Sequence, residues 1–240
     1  RVAALEPAVT ALTDDLDPAR TLFIVSSKSG GTLETLSLYR HFWAWVGAAG
    51  LPQGPRFVAI TDPGSGLEAL AAERGFRATF HAPPDVGGRF SALCDFGLLP
   101  ASLVGVDVVG LLGAAEAMAS RPDAAMRLGA WMGEGALAGR DKVTILTTPG
   151  LAALPAWMEQ LIAESTGKEG VGIVPVAGER VVGPEGYGDD RLFLAYHLAD
   201  EDLPEGVRAL AAAGHPVLSF ALPGLAALGA EMFRAELATA

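Results

Sequence analysis

The sequence predicts an α/β fold with mostly parallel sheets covered by helices, and three observations carry that prediction. Short apolar runs rich in β-favouring residues alternate with stretches of helical apolar spacing along most of the chain. The connections between them are short and punctuated by Gly, Pro and Asp. The first strand pattern also passes through a small-residue loop directly into a helix, the arrangement in which parallel sheets bind ligands beyond the carboxyl ends of their strands.

Taken in order, Val2 to Leu12 has the spacing of a short amphipathic helix, and Asp14, Asp15, Asp17 and Pro18 form a polar turn. Thr21 to Val25 reads as a buried strand that stops at Ser26. Apolar positions at Leu33, Leu36, Leu38, Phe42, Trp43 and Val46 then mark a helix, with Thr32 placed to cap it. Phe57 to Ile60 is the next strand, Leu67 to Glu73 a helix ended by Gly75, and Arg77 to Phe80 a third strand. Pro83 to Ser91 is a structured loop, and Phe96 to Val104 an apolar helix expected to lie in the core. Near Gly105 to Gly113 the pattern becomes a helical run, which places a boundary there and divides the chain into 1–110 and 111–240. Ala114 to Ala119 and Ala124 to Leu137 are Ala-rich helices. Val143 to Thr147 is a strand, and Ala152 to Ala163 a helix with Trp157, Leu161 and Ile162 inward. Strands at Val171 to Val176 and Arg191 to Leu198 flank a polar loop from Gly178 to Asp190. A helix at Val207 to Ala213, a strand at His215 to Phe220 and a helix at Leu225 to Leu237 follow.

Composition narrows the function classes. Seventeen basic against 28 acidic residues give a net charge of −11, which argues against broad nucleic-acid or anionic-membrane binding while leaving room for a local basic site. No apolar run reaches membrane-spanning length, so the chain reads as soluble. A lone Cys94 can form no internal disulfide and fits a reducing, cytoplasmic setting. His41, His81, His197 and His215 share no ligand spacing, and neither a metal nor an organic cofactor is expected. The opening RVAALEPAVT lacks an initiator Met and a secretory pattern, and the chain ends on a helical pattern. Both ends read as cuts from a longer polypeptide.

Three stretches carry chemistry. In the first, Ser27, Lys28, Ser29, Gly30, Gly31 and Thr32 lie between a strand and a helix N-terminus, where unpaired amides and the positive end of the helix dipole meet an anion; the hydroxyls and Lys28 add donors. The loop is neither a Walker loop nor a GxGxxG, and from spacing alone it also fits a turn whose serines only cap the helix. In the second, Arg89 follows two prolines and two glycines, and is either a planar-oxygen donor or a solvated loop residue. In the third, Glu164 follows an apolar stripe at a helix exit. There it reads as a partly desolvated proton shuttle or as a surface carboxylate, with Lys168 beyond it.

SSKSGGTLET resembles the phosphate loop of sugar isomerase (SIS) domains, and with its Lys it is most similar to that of the glucose-6-phosphate isomerase family. VGGRFSALCDFGLLPASLVGVD is similar to that family's arginine loop and following helix, and ESTGK to its ESxGK segment. The resemblance implies a three-layer αβα SIS-type fold, with the later part of a first subdomain in 1–110 and most of a second in 111–240. It implies that Ser27, Ser29 and Thr32, with the Lys28 amide, bind the phosphate of a sugar phosphate, that Arg89 stabilises an enediolate and that Glu164 is the catalytic base. Glu34, Gly88 and Lys168 are motif positions without an assigned role. The resemblance further implies interconversion of glucose 6-phosphate and fructose 6-phosphate, and a homodimer in the full-length protein. The alternatives are a non-catalytic sugar-phosphate binding module and an amino-sugar phosphate isomerase. Gly31 departs from the family's usual Thr. GDDRLF, Gly188 to Phe193, stands where many members carry GQHxF, so Arg191 falls nearest the ring-opening His. YGDDRLF and EMFRAELATA instead resemble the isomerase half of bifunctional transaldolase/glucose-6-phosphate isomerases.

Overall fold

The structure, a computed structural model, describes residues 2–240, with side-chain surroundings from residue 7 onward. It divides into two compact units, Arg1–Pro100 and Ala101–Ala240. The division falls inside a helix that begins at Asp95, earlier than the composition change near Gly105.

The first unit holds a parallel sheet in the order β1 (Phe23–Ser26), β2 (Phe57–Thr61), β3 (Ala78–His81). It opens with α1 (Val2–Asp15), which takes in the first two aspartates of the expected polar turn. Helix α2 (Leu33–Ala48) joins β1 to β2, and α3 (Gly66–Arg74) joins β2 to β3. Both crossovers advance in the same direction, so right-handed connection puts α2 and α3 on one face. They meet there in a core of Val25, Tyr39, Val46, Phe57, Ala59, Leu67 and Ala71. Aromatic rings fill it: Phe23 stacks on both Phe42 and Phe57 with centroids 4.9 Å apart. Every residue of β2 is buried, as a central parallel strand requires. Ser65 caps α3 by accepting from the Glu68 amide, and Gly75 ends it in the left-handed conformation at φ 63°.

The second unit holds a parallel sheet in the order β5 (Val174–Ala177), β4 (Lys142–Thr147), β6 (Arg191–Leu198), β7 (Val217–Leu222). From the centre the chain leaves in opposite directions, from β4 through α7 (Leu154–Thr166) to β5 and from β6 through α8 (Val207–Ala212) to β7. Right-handed crossovers therefore place α7 and α8 on opposite faces. Leu146, Phe193, Ala195, Val207 and Leu210 close the α8 side. Met158, Leu161 and Ile162 of α7 are fully buried, each contributing about 1.5–3 kcal/mol. Helices α5 (Val108–Ala119), α6 (Asp123–Leu137) and α9 (Leu228–Thr239) pack together beside this sheet. Parallel sheets flanked by helices are the α/β architecture that the alternating pattern predicts.

Some expectations are corrected. Helix α5 begins at Val108 rather than Ala114, because Asp107 caps it by accepting from the Gly110 amide at 2.9 Å. Helix α4 (Asp95–Leu103) has no fully buried residue, and Val104 beyond it is exposed, although the run is apolar throughout. Trp157 is half-buried where Leu161 and Ile162 are inward, because it lies at the edge of the stripe that faces the sheet.

Candidate functional site

The loop after β1 is built by its neighbours on the carboxyl edge of the first sheet. Ser27 is buried; its amide donates to the Ile60 carbonyl at 3.0 Å and its hydroxyl lies 2.9 Å from the Thr32 hydroxyl. Thr32 occupies the N-cap position of α2 without making the expected side-chain cap, since its hydroxyl is turned to Ser27 instead. The first-turn amides of α2 therefore keep no side-chain partner, the condition under which a helix N-terminus accepts an anion. Among the described residues the amides of Lys28, Ser29 and Gly30 also donate to no protein group. The Ser29 hydroxyl accepts from the Gly31 amide at 3.2 Å and steadies the turn. Glu34 lies exposed in the first turn of α2.

Lys28 differs from its expected place among the side-chain donors. Its ammonium pairs with Asp62 at 2.7 Å and donates to the Pro83 carbonyl at 3.3 Å, so the side chain ties together the loops that follow β1, β2 and β3. An ammonium has three donors, and two carboxyl-edge acceptors draw it inward across the sheet. Thr61, fully buried at the end of β2, donates to the carbonyl of Ser27 at 2.7 Å, and the Asp62 amide donates to that of Lys28 at 3.1 Å. Thr61 and Asp62 brace the loop after β1, and sequence reasoning missed them. The signal for them is a polar Thr-Asp pair closing an otherwise apolar strand.

Arg89 lies in a short turn of 3-10 helix, Gly88–Phe90, within the loop that leaves β3. It is half-buried, with its guanidinium 5.5 Å from the Phe90 ring centroid. A Cβ on Gly88 would come within 3.9 Å of Lys28 Cδ, so the arginine loop runs alongside the Lys28 stem. The first and second motifs thus share one sheet edge.

Glu164 and Lys168 belong to the second unit. Glu164 lies within the last turn of α7, exposed, and its carboxylate accepts from Gln160 Nε2 at 3.2 Å. The partial desolvation expected at a helix exit is not found, because the buried stripe of α7 lies on the face of Leu161 and Ile162 while Glu164 points away from it. Helix α7 runs back against the strands, so Glu164 sits toward the amino-terminal ends of β4 and β5. Lys168 is exposed and forms a two-residue bridge with Val171. Arg191, the residue that falls nearest the GQHxF His of the resemblance, is occupied: its guanidinium pairs with Glu179, donates to the Thr144 hydroxyl at 2.9 Å and lies 5.2 Å from the Tyr187 ring centroid.

Comparison with known proteins decides what these motifs resemble. A glucose-6-phosphate isomerase from Rubrobacter xylanophilus is 36% identical over 184 residues, which is 71% of this chain and 42% of that protein. One from Heliobacterium modesticaldum is 37% identical over 177 residues, 69% of this chain and 39% of that protein. The chain is similar to glucose-6-phosphate isomerases. It spans about two fifths of the length of these curated relatives. No protein-family model matches it. Among solved structures, a hypothetical protein from Thermus thermophilus matches 97% of this chain and 68% of its own, with a TM-score of 0.82 and 29% identity. A glucose-6-phosphate isomerase from Chlamydia trachomatis matches 96% of this chain and 56% of its own, at TM-score 0.73 and 18% identity, and shares the fold. Among the described residues no helix is long and apolar enough to cross a membrane.

Proposed function

We propose that this chain contributes to an aldose–ketose isomerase that interconverts glucose 6-phosphate and fructose 6-phosphate. The observation that carries the reading is the loop after β1, in a chain whose relatives are named glucose-6-phosphate isomerases. Its Ser27 and Thr32 hydroxyls are paired with each other, and the amides of Lys28, Ser29 and Gly30 have no protein partner among the described residues.

In this reading Ser27, Ser29, Thr32 and the Lys28 amide hold the phosphate of the sugar, fixing the far end of an open-chain substrate. Glu164 takes the proton from C2 of the aldose and returns it at C1, while the hydroxyl proton passes from O2 to O1. Arg89 balances the negative charge that develops on the enediolate oxygens, a contribution of the kind that dominates many such reactions. No step needs a metal or an organic cofactor, and the intact protein is proposed to act as a homodimer.

The test is exchange of the C2 proton with solvent in the intact protein. Glu164→Gln is expected to lower exchange by about 10²–10⁴-fold while sugar-phosphate affinity stays within about twofold. Thr32→Val should weaken binding instead. Full exchange in the Glu164 variant would remove that residue from the base role. A second reading, a sugar-phosphate binding module without catalysis, is favoured by Arg191, which falls nearest the family's ring-opening His and is tied to Glu179 and Thr144. Tight binding with no exchange in the unaltered protein would select it.

A further inference from the structure

The second unit has its own carboxyl-edge crevice, of about 1100 Å³, on the opposite edge of its sheet from Glu164. It opens where the chain leaves β4 toward β5 and β6 toward β7, the divergence at which parallel sheets bind ligands. Its floor is Thr147 and Thr148 at the end of β4. Thr148 is 7% exposed, its amide donates to the Tyr196 carbonyl at 3.2 Å, and its hydroxyl is buried with no partner among the described residues. A buried hydroxyl left unpaired in the lining of a crevice is a group waiting for an acceptor or donor.

The rest of the lining narrows the chemistry. Helix α7 enters the crevice at its N-terminal turn with no side-chain cap. Arg180 lines the wall, exposed and without a partner among the described residues. The carboxylates of Glu159 and Glu205 line it too, likewise without partners among the described residues. A guanidinium and a helix N-terminus accept a phosphomonoester. Carboxylates are acceptors only, so beside an anion they suit hydroxyl donors rather than a second charge. Among the described residues no aromatic side chain lines the crevice, which leaves no platform there for a nucleobase. From these features we infer a second ligand site on this unit for a phosphorylated polyol, with the phosphate on Arg180 and the Thr148 hydroxyl and the polyol hydroxyls on Glu159 and Glu205. This site shares no residue with the loop after β1 and does not depend on the isomerase reading.

The experiment titrates the full chain carrying Ser27→Ala, Gly30→Ala and Thr32→Val, which removes the two hydroxyls and displaces the amides of the loop after β1, with glucose 6-phosphate and with inorganic phosphate by calorimetry. Binding of glucose 6-phosphate is expected to survive in this background and to fall about tenfold with Arg180→Ala, one charge-assisted contact being worth that much. Thr148→Val, which removes a hydroxyl that no protein group uses, should weaken it severalfold without changing the unfolding midpoint. No binding in the loop-disabled background would overturn the proposal, as would residual binding indifferent to Arg180→Ala. Inorganic phosphate binding as tightly as glucose 6-phosphate would overturn the assignment of polyol hydroxyls to the two glutamates. Loss of binding in the loop variant alone would leave the isomerase reading standing, so the two fail separately.

Discussion

Gly30 and Gly31 are adjacent in the loop after β1 and under different constraints. Gly30 has φ 70°, a conformation that side chains rarely adopt, and a Cβ there would lie 2.5 Å from the Leu67 amide nitrogen, a backbone atom that cannot step aside cheaply. Gly31 has ordinary φ, and its Cβ would meet nothing nearer than Ser29 Oγ at 3.8 Å. Gly30→Ala is therefore expected to cost about 2–4 kcal/mol in urea denaturation, combining left-handed strain with the clash, and to displace the loop enough to lose phosphate binding. Gly31→Ala should stay within about 0.5 kcal/mol. Equal costs at the two positions would show that the loop does not pack on α3 as described. Composition announces a flexible loop at both glycines and does not tell them apart, since only Gly30 meets a helix that begins 36 residues later in the chain, at Gly66. Lys28 teaches the same lesson: its charge was legible, but its partner Asp62 comes from another strand's end.

At the scale of elements, local signals were read well where they act within one helix or turn. The end of α3 at Gly75 and the span of β6 from Arg191 to Leu198 follow from turn chemistry and apolar runs close at hand. What the helical spacing of α9 did not reveal is its polar load. Glu231 and Arg234 pair at 3.1 Å, and the Arg234 guanidinium stacks 4.7 Å from the Phe220 ring centroid, beside which Tyr196 is stacked at 4.9 Å. Glu236 has a buried oxygen with no partner among the described residues, and burial pushes its carboxyl from the ordinary 4.5 up to about 7. The consequence for stability has a definite sign. Between those values the folded chain keeps a proton that the unfolded chain releases, so stability falls as pH rises from about 4.5 to 7 and levels off above. Each decade of proton affinity is worth about 1.4 kcal/mol, which bounds the loss near 3 kcal/mol; partial exposure of the side chain reduces it to about 1–2 kcal/mol. Glu236→Gln should remove that slope and raise stability at pH 8, as measured by urea midpoints from pH 4.5 to 8. An unchanged slope would place the titration on another group, with Glu231, also raised by burial, the next to replace.

For the whole molecule, the parallel α/β architecture was legible because period and connection length are properties of the chain itself. The position of Glu164 was less so, since it lies on the return end of a crossover helix, away from the carboxyl ends at which parallel sheets bind ligands. Charge is the one global property that acts on the ligand before contact. The chain carries −11, and the proposed ligand, a sugar phosphate, is an anion, so distant carboxylates would repel it while the amides and hydroxyls of the proposed site would attract it. The Debye length shortens from about 30 Å at 0.01 M salt to about 10 Å at 0.1 M, which removes the distant repulsion and leaves the short contacts nearly whole. Glucose 6-phosphate affinity is therefore expected to hold within about twofold, or to rise, when salt increases over that range. A surface that binds polyanions through many cations behaves in the opposite way, losing orders of magnitude as counterions return. Calorimetric titration at the two salt concentrations, repeated with Arg89→Ala, separates the contributions. A loss of more than about tenfold in the unaltered chain that disappears in the Arg89 variant would assign most of the affinity to that guanidinium and remove the amide cradle from its leading role.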